Sequence, residues 1–378
     1  MSKEPHFGTR LEDFEPLWEA ESTLARECWT GEPVRIGWDV PPVDAPRPRR
    51  IRASFLRYLA LGGCERCRPG PKGVRVWGAY IEGDGPERAA TRGLDLEGCT
   101  LTGDLGLLSC RVPDMILLRR AKLRLLNLNG SHLGLPDGAA SEASAKALSA
   151  DGLEANDGVF LRSVEATGEV RLVGAKLGGN LECNGGTLTA GESGRALAAD
   201  RLETGGGVFL QSVKATGEVR LVGAKLGGTL SCIGGTFTAH EEGGALVLSN
   251  AHVTGAFFLR SGKTDGEDRA ARVVGRLDLR AAYVATLSDD VASWPAKGDL
   301  LLDRFRYGAI VAAPVSAEER LRWLGLQEPA RVGVDFWPQP YEQLAKVLRE
   351  MGHLGDARAV LVEKERLQRL TGAGPGGR

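Results

Sequence analysis

The chain has 378 residues, of which 42% are apolar and 26% are charged, and its formal net charge at pH 7 is −1. A chain of this length can bury a substantial core, but the near-zero charge supplies no global field that favours a polyanion. Glycine is abundant at 52 residues, whereas Trp, Tyr and Phe together make only 6%, which indicates many turns and small side chains. Nucleic acid is therefore not an expected partner.

The first residues, MSKEPHFGTRLEDFE, lack the apolar core and cleavage site of a signal peptide, and no apolar run approaches membrane-spanning length. Seven cysteines are scattered along the chain, an odd number that fits a reduced compartment better than a disulfide framework. We expect a cytoplasmic protein.

Residues 1–71 are predicted to form an N-terminal helical cap with a Pro/Arg-rich linker. One helix is expected from Leu11 to about Cys28, and a second, amphipathic one from Arg52 to Leu61 just before the first coil. The linker begins a basic run, which consists of Arg47, Arg49, Arg50, Arg52 and Arg57. This run could bind phosphate or an anionic lipid surface. The simpler interpretation is that it solvates the helix and pairs with acids such as Glu12, Asp13 and Glu15.

Cys64-Glu65-Arg66-Cys67 follows the second helix in a Gly/Pro-rich turn. A CxxC motif can supply half of a tetrahedral zinc site or a redox pair. A metal site needs two more ligands, and the next cysteines, Cys99 and Cys110, lack CxxC spacing. Zinc, a labile disulfide and two unlinked thiols therefore all stay open; we favour unlinked thiols and predict neither a metal nor a cofactor.

The segment ATGEVRLVGAKLGG occurs twice, at 166–179 and 215–228, at an offset of 49 residues. Its apolar and small residues come in pairs two apart, and the pairs repeat every five or six residues, which matches neither a helix nor one long strand. Four such short extended sides would close a coil of about twenty residues, stacked at the ~4.8 Å strand spacing, so one period is about two coils. We place this β-solenoid at residues 72–290, with an insertion around Ser261 to Arg269.

The first member of each pair and its partner two residues later are predicted to face the interior. Between them, Lys176, Lys225 and the repeated Arg and Glu residues should face water in balanced columns. Cys183 and Cys232 take matching inward positions and should behave as small buried hydrophobes. The predicted interior residues are Val170, Leu172, Ala175, Leu177, Leu181, Cys183, Val219, Leu221, Ala224, Leu226, Leu230 and Cys232.

The rhythm LxLxxAxL, as in Val170 to Leu177, resembles the pentapeptide-repeat class of bacterial β-helices. Together with GVRVWGAYIEG at 73–83 and PYEQLAKVLREMGHLGDARAVL at 340–361, it is similar to a group often labelled membrane-associated oxidoreductases. The resemblance implies a mostly β protein, a right-handed parallel β-helix with α-helical caps at both ends. Relatives commonly continue into transmembrane helices, which we expect to be missing after TGAGPGGR. No GxGxxG motif follows a strand and opens a helix, so we do not adopt the oxidoreductase label.

After the solenoid, residues 291–337 are predicted to be an irregular connector, 338–370 a helical hairpin, and 371–378 a disordered tail. Asp289 and Asp290 should form a solvated bend, and Asp356 should cap the second helix. The outer face of the hairpin is expected to contact a partner through Lys364, Arg366 and Arg369, because a charged face suits a reversible, salt-sensitive contact.

No converging catalytic set is visible in the sequence. We therefore interpret the chain as a non-catalytic scaffold or interaction protein that binds an unidentified protein partner, through which it could reach a membrane surface. One alternative is a β-helix enzyme or binding protein that acts on an extended glycan along one solenoid face. The other is a DNA mimic that protects a topoisomerase, against which the balanced charge argues.

Overall fold

The computed structural model describes residues 8–83, 93–134, 146–240, 243–264, 266–333 and 335–370. The chain divides into two compact units, Met1–Gly206 and Gly207–Arg378, and each is described by itself. Short strands that pair in parallel make up most of the regular structure in both units. This confirms the expectation of a mostly β protein built from stacked parallel strands. The predicted tail, 371–378, lies outside the described residues.

The N-terminal unit contains two α-helices, short 3-10 helices and eighteen strands within its described residues. The α-helices are α1 (Glu19–Glu27) and α2 (Ala53–Ala60), and the 3-10 helices are Leu11–Phe14, Cys28–Thr30, Arg47–Arg49 and Glu65–Cys67. The strands are β1 (Val34–Arg35), β2 (Arg50–Arg52), β3 (Gly73–Trp77), β4 (Tyr80–Glu82), β5 (Asp104–Leu108), β6 (Arg111–Val112), β7 (Ile116–Leu117), β8 (Lys122–Asn127), β9 (His132–Leu133), β10 (Lys146–Ser149), β11 (Glu154–Phe160), β12 (Glu165–Thr167), β13 (Glu169–Arg171), β14 (Lys176–Leu177), β15 (Asn180–Glu182), β16 (Thr187–Thr189), β17 (Arg195–Ala198) and β18 (Glu203–Thr204).

These strands form three parallel stacks in the N-terminal unit. The first runs β1-β3-β5-β8-β11-β14-β18, with β15 also paired to β11; the second runs β2-β4-β6-β9-β12-β16; the third runs β7-β10-β13-β17. One passage of the chain through all three stacks is one coil. Ala166 pairs with Leu188, 22 residues on, and Val170 pairs with Leu197, 27 residues on. The two coil lengths together make the 49-residue period.

The C-terminal unit contains fifteen strands and three α-helices within its described residues. The strands are β19 (Val208–Phe209), β20 (Lys214–Thr216), β21 (Glu218–Arg220), β22 (Lys225–Leu226), β23 (Leu230–Ser231), β24 (Thr236–Thr238), β25 (Gly244–Val247), β26 (His252–Leu259), β27 (Gly262–Thr264), β28 (Glu267–Arg269), β29 (Arg272–Val274), β30 (Arg276–Asp278), β31 (Tyr283–Asp289), β32 (Leu300–Leu301) and β33 (Arg306–Ile310). The helices are α3 (Ala317–Leu324), α4 (Gln339–Glu350) and α5 (Leu354–Leu370), with 3-10 helices at Val291–Ser293 and Pro329–Val332.

The C-terminal unit repeats the same three-stack arrangement. In the first stack β22 and β23 both pair with β26, β26 pairs with β31, and β31 pairs with β33. The second stack runs β20-β24-β29, and the third runs β21-β25-β30-β32. Ala215 pairs with Phe237 and Val219 with Leu246, so the steps of 22 and 27 residues recur. The insertion expected around Ser261 to Arg269 contains the antiparallel pair β27–β28.

The two copies of the repeated segment adopt the same backbone conformation. Gly168 and Gly174 have positive φ angles of 114° and 65°, and their counterparts Gly217 and Gly223 have 117° and 66°. Other residues rarely adopt these angles, so the copies need glycine there. Gly178 is required for a different reason: a Cβ atom at this position would lie 1.9 Å from the carbonyl oxygen of Asn156 in the neighbouring coil.

The interior of each unit consists of columns of aliphatic side chains. All twelve residues that the sequence places inside are buried, including Leu172 and Leu221 with no exposed surface. Lys176 and Lys225 are exposed, as expected for the positions between inward residues. Glu169 is an exception to the outward columns because it is 2% exposed, while its counterpart Glu218 is partly exposed. The prediction that both glutamates face water is therefore wrong for Glu169.

The segments outside the predicted solenoid contain more regular structure than their sequences indicate. Strands β1 and β2 lie within residues 1–71 and pair with β3 and β4. Strands β32 and β33 and helix α3 lie within the expected irregular connector, because its chain still pairs with β30 and β31. The predicted first helix is divided into Leu11–Phe14 and α1, with Pro16 between them, since proline cannot donate the helical hydrogen bond.

Candidate functional site

The helical hairpin of α4 and α5 positions the charged residues that the sequence proposes for partner binding. Lys364 does not lie on its outer face: the Lys364 side chain is only 12% exposed, and its Nζ lies 2.5 Å from Glu342 Oε1 of α4 and 3.3 Å from Glu365 Oε1. The nearby carboxylates raise the pKa of Lys364, chiefly through the hydrogen bond to Glu342. Lys364 therefore joins the two helices, and its assignment to the outward set is corrected.

Helix α5 presents a mixed basic and apolar surface to solvent, which we call the α5 outward face and define as Arg358, Val362, Arg366 and Arg369. These residues are three or four apart and so share one side of the helix. Val362 is 64% exposed, and apolar residues at both ends of the helix, Leu354 and Leu370, are also exposed. Arg366 is held by Glu363 through two hydrogen bonds of 2.6 and 2.7 Å. Among the described residues, Arg358 and Arg369 form no ion pair.

The hairpin is attached to the last strand of the C-terminal unit by polar contacts. Gln343 Nε2 of α4 donates to the Tyr307 carbonyl at 2.8 Å. The backbone N–H of Ile310 donates to Met351 Sδ at 3.4 Å. Asp356 lies inside α5 rather than capping it, and its Oδ1 accepts from the backbone N–H of Ala317 at the start of α3. The predicted cap of one helix therefore stabilises another.

Asp289 is buried in an ion pair, so the prediction of a solvated bend is wrong for this residue. Its two carboxylate oxygens accept from Arg320 Nη1 and Nη2 at 3.0 and 2.7 Å, and Oδ2 also accepts from Trp294 Nε1 at 2.8 Å. Arg320 has no exposed surface and also donates to the Pro314 carbonyl. The sequence carries no signal of this pair, because its members are 31 residues apart.

The basic run from Arg47 to Arg57 is largely consumed by contacts within the N-terminal unit. Arg52 binds the fully buried Glu21, with Arg52 Nε donating to Glu21 Oε1 at 2.8 Å, and Arg49 binds Asp39 and the Gly78 carbonyl. Arg57 donates to the Asp95 carbonyl at 2.7 Å. The run thus pairs with acids, among them Glu21 and Asp39, which the sequence did not single out.

Cys64 and Cys67 lie at the two ends of a tight turn between α2 and β3. Their Sγ atoms are 3.4 Å apart, and the backbone N–H of Cys67 donates to the Cys64 carbonyl at 2.9 Å. Both thiols are free. Gly63 makes the turn possible, because its φ is 59° and an added Cβ would lie 2.6 Å from the Cys67 carbonyl oxygen.

The environments of the two thiols differ. Cys67 is buried, which raises the pKa of its thiol, whereas Cys64 is partly exposed. The Tyr58 hydroxyl forms a hydrogen bond with Cys64 and lowers the pKa of that thiol. Tyr58 was not predicted from the sequence. It precedes Cys64 by six residues on the helix that leads into the turn, and this closeness in sequence was the available signal.

Four of the other five cysteines are buried, which disfavours their thiolate forms. Burial raises the pKa of Cys28 to about 11 and that of Cys110 and Cys183 to about 12, and it also raises the pKa of Cys232. Cys99 is partly exposed and accepts a hydrogen bond from Arg57 Nη1 at 3.3 Å. Within the described ranges, no group of three or more His, Cys, Asp or Glu side chains is arranged to hold a metal ion.

The first stack of the N-terminal unit carries an alternating column of charges on its outer surface. Lys122 lies next to Glu154, Glu154 next to Lys176, and Lys176 next to Glu203 in the strand register. The Lys122–Glu154 ion pair has a distance of 2.9 Å. An open groove of about 520 Å³ passes over Glu154, Lys176 and Glu203. Each cation is adjacent to a carboxylate, so the column is balanced.

Comparison with known proteins adds no assignment: no family model, curated protein or solved structure matches the chain. Every helix in the described part of the chain is too short or too polar to cross a membrane.

Proposed function

We propose that this protein is a non-catalytic scaffold that binds a protein partner through the α5 outward face. In this proposal the stacked coils form a right-handed β-helix similar to the pentapeptide-repeat class, and helices cover its first and last coils. The observation that carries the proposal is the combination of exposed Val362 with two arginines, Arg358 and Arg369, that have no ion pair among the described residues.

The chemistry of this face favours an acidic protein surface as its partner. Apolar side chains exposed beside arginine are typical of protein interfaces, where arginine is enriched and lysine is depleted. Arg358 and Arg369 are not neutralised within the described chain, so an opposing carboxylate would gain two charge-assisted hydrogen bonds. Recruitment to a membrane surface would then run through this partner, and the seven free thiols support a cytoplasmic location.

The alternative of an enzyme that acts on a glycan is less well supported. Glycoside hydrolysis needs two carboxyl groups with different protonation, one acid and one base or nucleophile. Along the groove of the N-terminal unit, Glu154 and Glu203 each lie beside a lysine in the strand register, so the two carboxyl groups have similar rather than contrasting neighbours. The balanced charge of the whole chain likewise argues against a DNA mimic.

The proposal is tested by reversing the two unpaired charges. The double variant Arg358→Glu/Arg369→Glu should lose the stoichiometric partner that the wild-type chain retains in cross-linking and pull-down at physiological salt. The matched control is Arg276→Glu/Arg306→Glu, which reverses two exposed arginines on strands of the same unit and should retain the partner. Binding by wild type should also weaken as salt rises. Equal recovery of the partner by both double variants would overturn the proposal.

A further inference from the structure

The Cys64–Cys67 turn lies outside the α5 outward face, and its geometry is that of a pair ready to form a bond. The Sγ–Sγ distance of 3.4 Å must shorten to about 2.05 Å in a disulfide. The hydrogen bond from Cys67 N–H to the Cys64 carbonyl defines a four-residue turn, in which the outer Cα atoms lie within about 7 Å, close to the range that disulfides span. Small side-chain rotations therefore suffice to join the two sulfurs.

The two sulfurs are also unequal in access. Cys64 is partly exposed and contacts the hydroxyl of Tyr58, which can stabilise a thiolate by donating a hydrogen bond. Cys67 is only 2% exposed. An incoming reagent therefore reacts with Cys64 first. Cys67 can then attack the sulfur of Cys64.

We propose that Cys64 and Cys67 form a thiol–disulfide exchange site for low-molecular-weight anionic disulfides, in which Cys64 attacks and Cys67 resolves.

The exchange is balanced in atoms and electrons. The Cys64 thiolate attacks one sulfur of the disulfide RSSR, its S–S bond breaks, and the departing thiolate takes up a proton to give RSH. Cys67 then loses its proton and attacks the Cys64 sulfur of the mixed disulfide, which releases the second RS⁻ for protonation. The two protein thiols are oxidised to one disulfide, and RSSR is reduced to two RSH. The reverse steps regenerate the thiols.

The surface beside the turn fits an anionic substrate. Arg66 and Arg68 flank Cys67, both are exposed, and neither forms an ion pair within the described chain. An open groove of about 340 Å³ beside the turn is lined by these arginines, by Trp29 and Gly70, and also by Glu65 and Cys67. Trp29 is 68% exposed and offers an apolar wall. The two guanidinium groups outnumber the single carboxylate of Glu65, and the net positive charge attracts the carboxylates that small physiological thiols such as glutathione carry.

The first experiment exposes the full-length protein to mixtures of reduced and oxidised glutathione, followed by rapid alkylation and peptide mass spectrometry. We expect a Cys64–Cys67 disulfide to form while the other five cysteines stay reduced. Cys67→Ser should accumulate a glutathione adduct on Cys64, and Cys64→Ser should react at least about tenfold more slowly. The control Cys99→Ser, which removes another partly exposed cysteine, should behave as wild type.

Folding of each variant is checked by circular dichroism, and Cys67→Ala replaces Cys67→Ser if the serine variant melts early. The proposal is overturned if the pair stays reduced in fully oxidised glutathione. It is also overturned if folded Cys67→Ser or Cys67→Ala traps no adduct on Cys64, or if Cys64→Ser reacts at the wild-type rate.

Two further variants test the roles of the neighbours. Tyr58→Phe should move the pH midpoint of Cys64 alkylation upward, because the donated hydrogen bond is lost; an unchanged midpoint would remove Tyr58 from the site. Arg66→Ser/Arg68→Ser should slow the reaction with oxidised glutathione but not with the neutral hydroxyethyl disulfide. Equal slowing of both reactions, or of neither, would overturn the preference for anionic disulfides.

Discussion

The coil interiors and the helical segments of this protein both pack aliphatic side chains, but the helical segments also depend on buried ion pairs. The interior columns contain aliphatic side chains such as Leu172 and Leu221, which have no exposed surface. Helices α2 and α4 bury aliphatic side chains as well, and the segments outside the columns add buried ion pairs, Glu21 with Arg52 in the N-terminal unit and Asp289 with Arg320 in the C-terminal unit. An aliphatic column tolerates loss of a methyl group gradually, whereas a buried ion pair fails when either partner is removed.

The largest effect is expected where a charge enters a column. Leu221→Asp should unfold the C-terminal unit, because a carboxylate without a partner would replace an apolar side chain in a closed interior; the expected loss exceeds about 4 kcal/mol. Circular dichroism and the melting temperature measure it. A folded mutant with the wild-type melting temperature would show that the column does not determine stability.

Breaking the buried ion pair of the C-terminal unit should have the next largest effect. Arg320→Met leaves Asp289 buried with the Trp294 N–H as its one side-chain donor among the described residues, and should cost about 3–5 kcal/mol of unfolding free energy. The double variant Arg320→Met/Asp289→Leu removes both charges and should recover most of this loss. If the double variant is no more stable than the single one, the isolated charge is not the cause.

A smaller effect is expected on the outer surface of the columns. Lys176→Glu would place three carboxylates in successive rungs, since Lys176 lies between Glu154 and Glu203 in the register. The variant should lose about 0.5–1 kcal/mol at low salt and less at high salt. Lys176→Gln is the control and should be closer to wild type. A loss well above about 1 kcal/mol in the glutamine variant would place this side chain inside.

The smallest effect concerns the ion pair on α5. The hydrogen bond from Arg366 lowers the pKa of Glu363 in the folded state. A depressed carboxyl pKa stabilises the fold above the unfolded value of about 4.3, and this contribution is lost as the pH falls through the folded pKa. Because the pair is largely exposed, the contribution should be below about 0.5 kcal/mol. Glu363→Gln should therefore reduce melting temperature slightly at pH 7 and not at pH 3; equal changes at both would contradict this origin.

The repeated part of the fold was predictable from the sequence because its signal is local. Pairs such as Val170 and Leu172 recur at fixed spacing, and the 49-residue offset corresponds to two coils in the register. Residues 291–337 were predicted to be irregular, although they contain β32 and β33. The pairing of β32 with β30 and of β33 with β31 depends on strand edges that lie elsewhere in the sequence.

The candidate sites were predictable only in part, because contacts between residues that are distant in sequence leave no local signal. Cys64 and Cys67 are visible as a motif, but the difference between the two thiols comes from burial and from Tyr58. Lys364 has the same sequence character as Arg369, yet only Lys364 faces Glu342 on the adjacent helix. Which charged residue is outward depends on how α4 and α5 pack together.

The sequence by itself determined the mostly β class, the coil period and the identity of the inward residues, because these follow from periodicity along the chain. Only the tertiary structure decided which polar residues meet. Asp289 and Arg320 are 31 residues apart, and Glu21 and Arg52 are equally far apart. Their encounters depend on how the chain returns upon itself, and a hydrogen bond requires an accuracy of tenths of an ångström that no repeat pattern encodes.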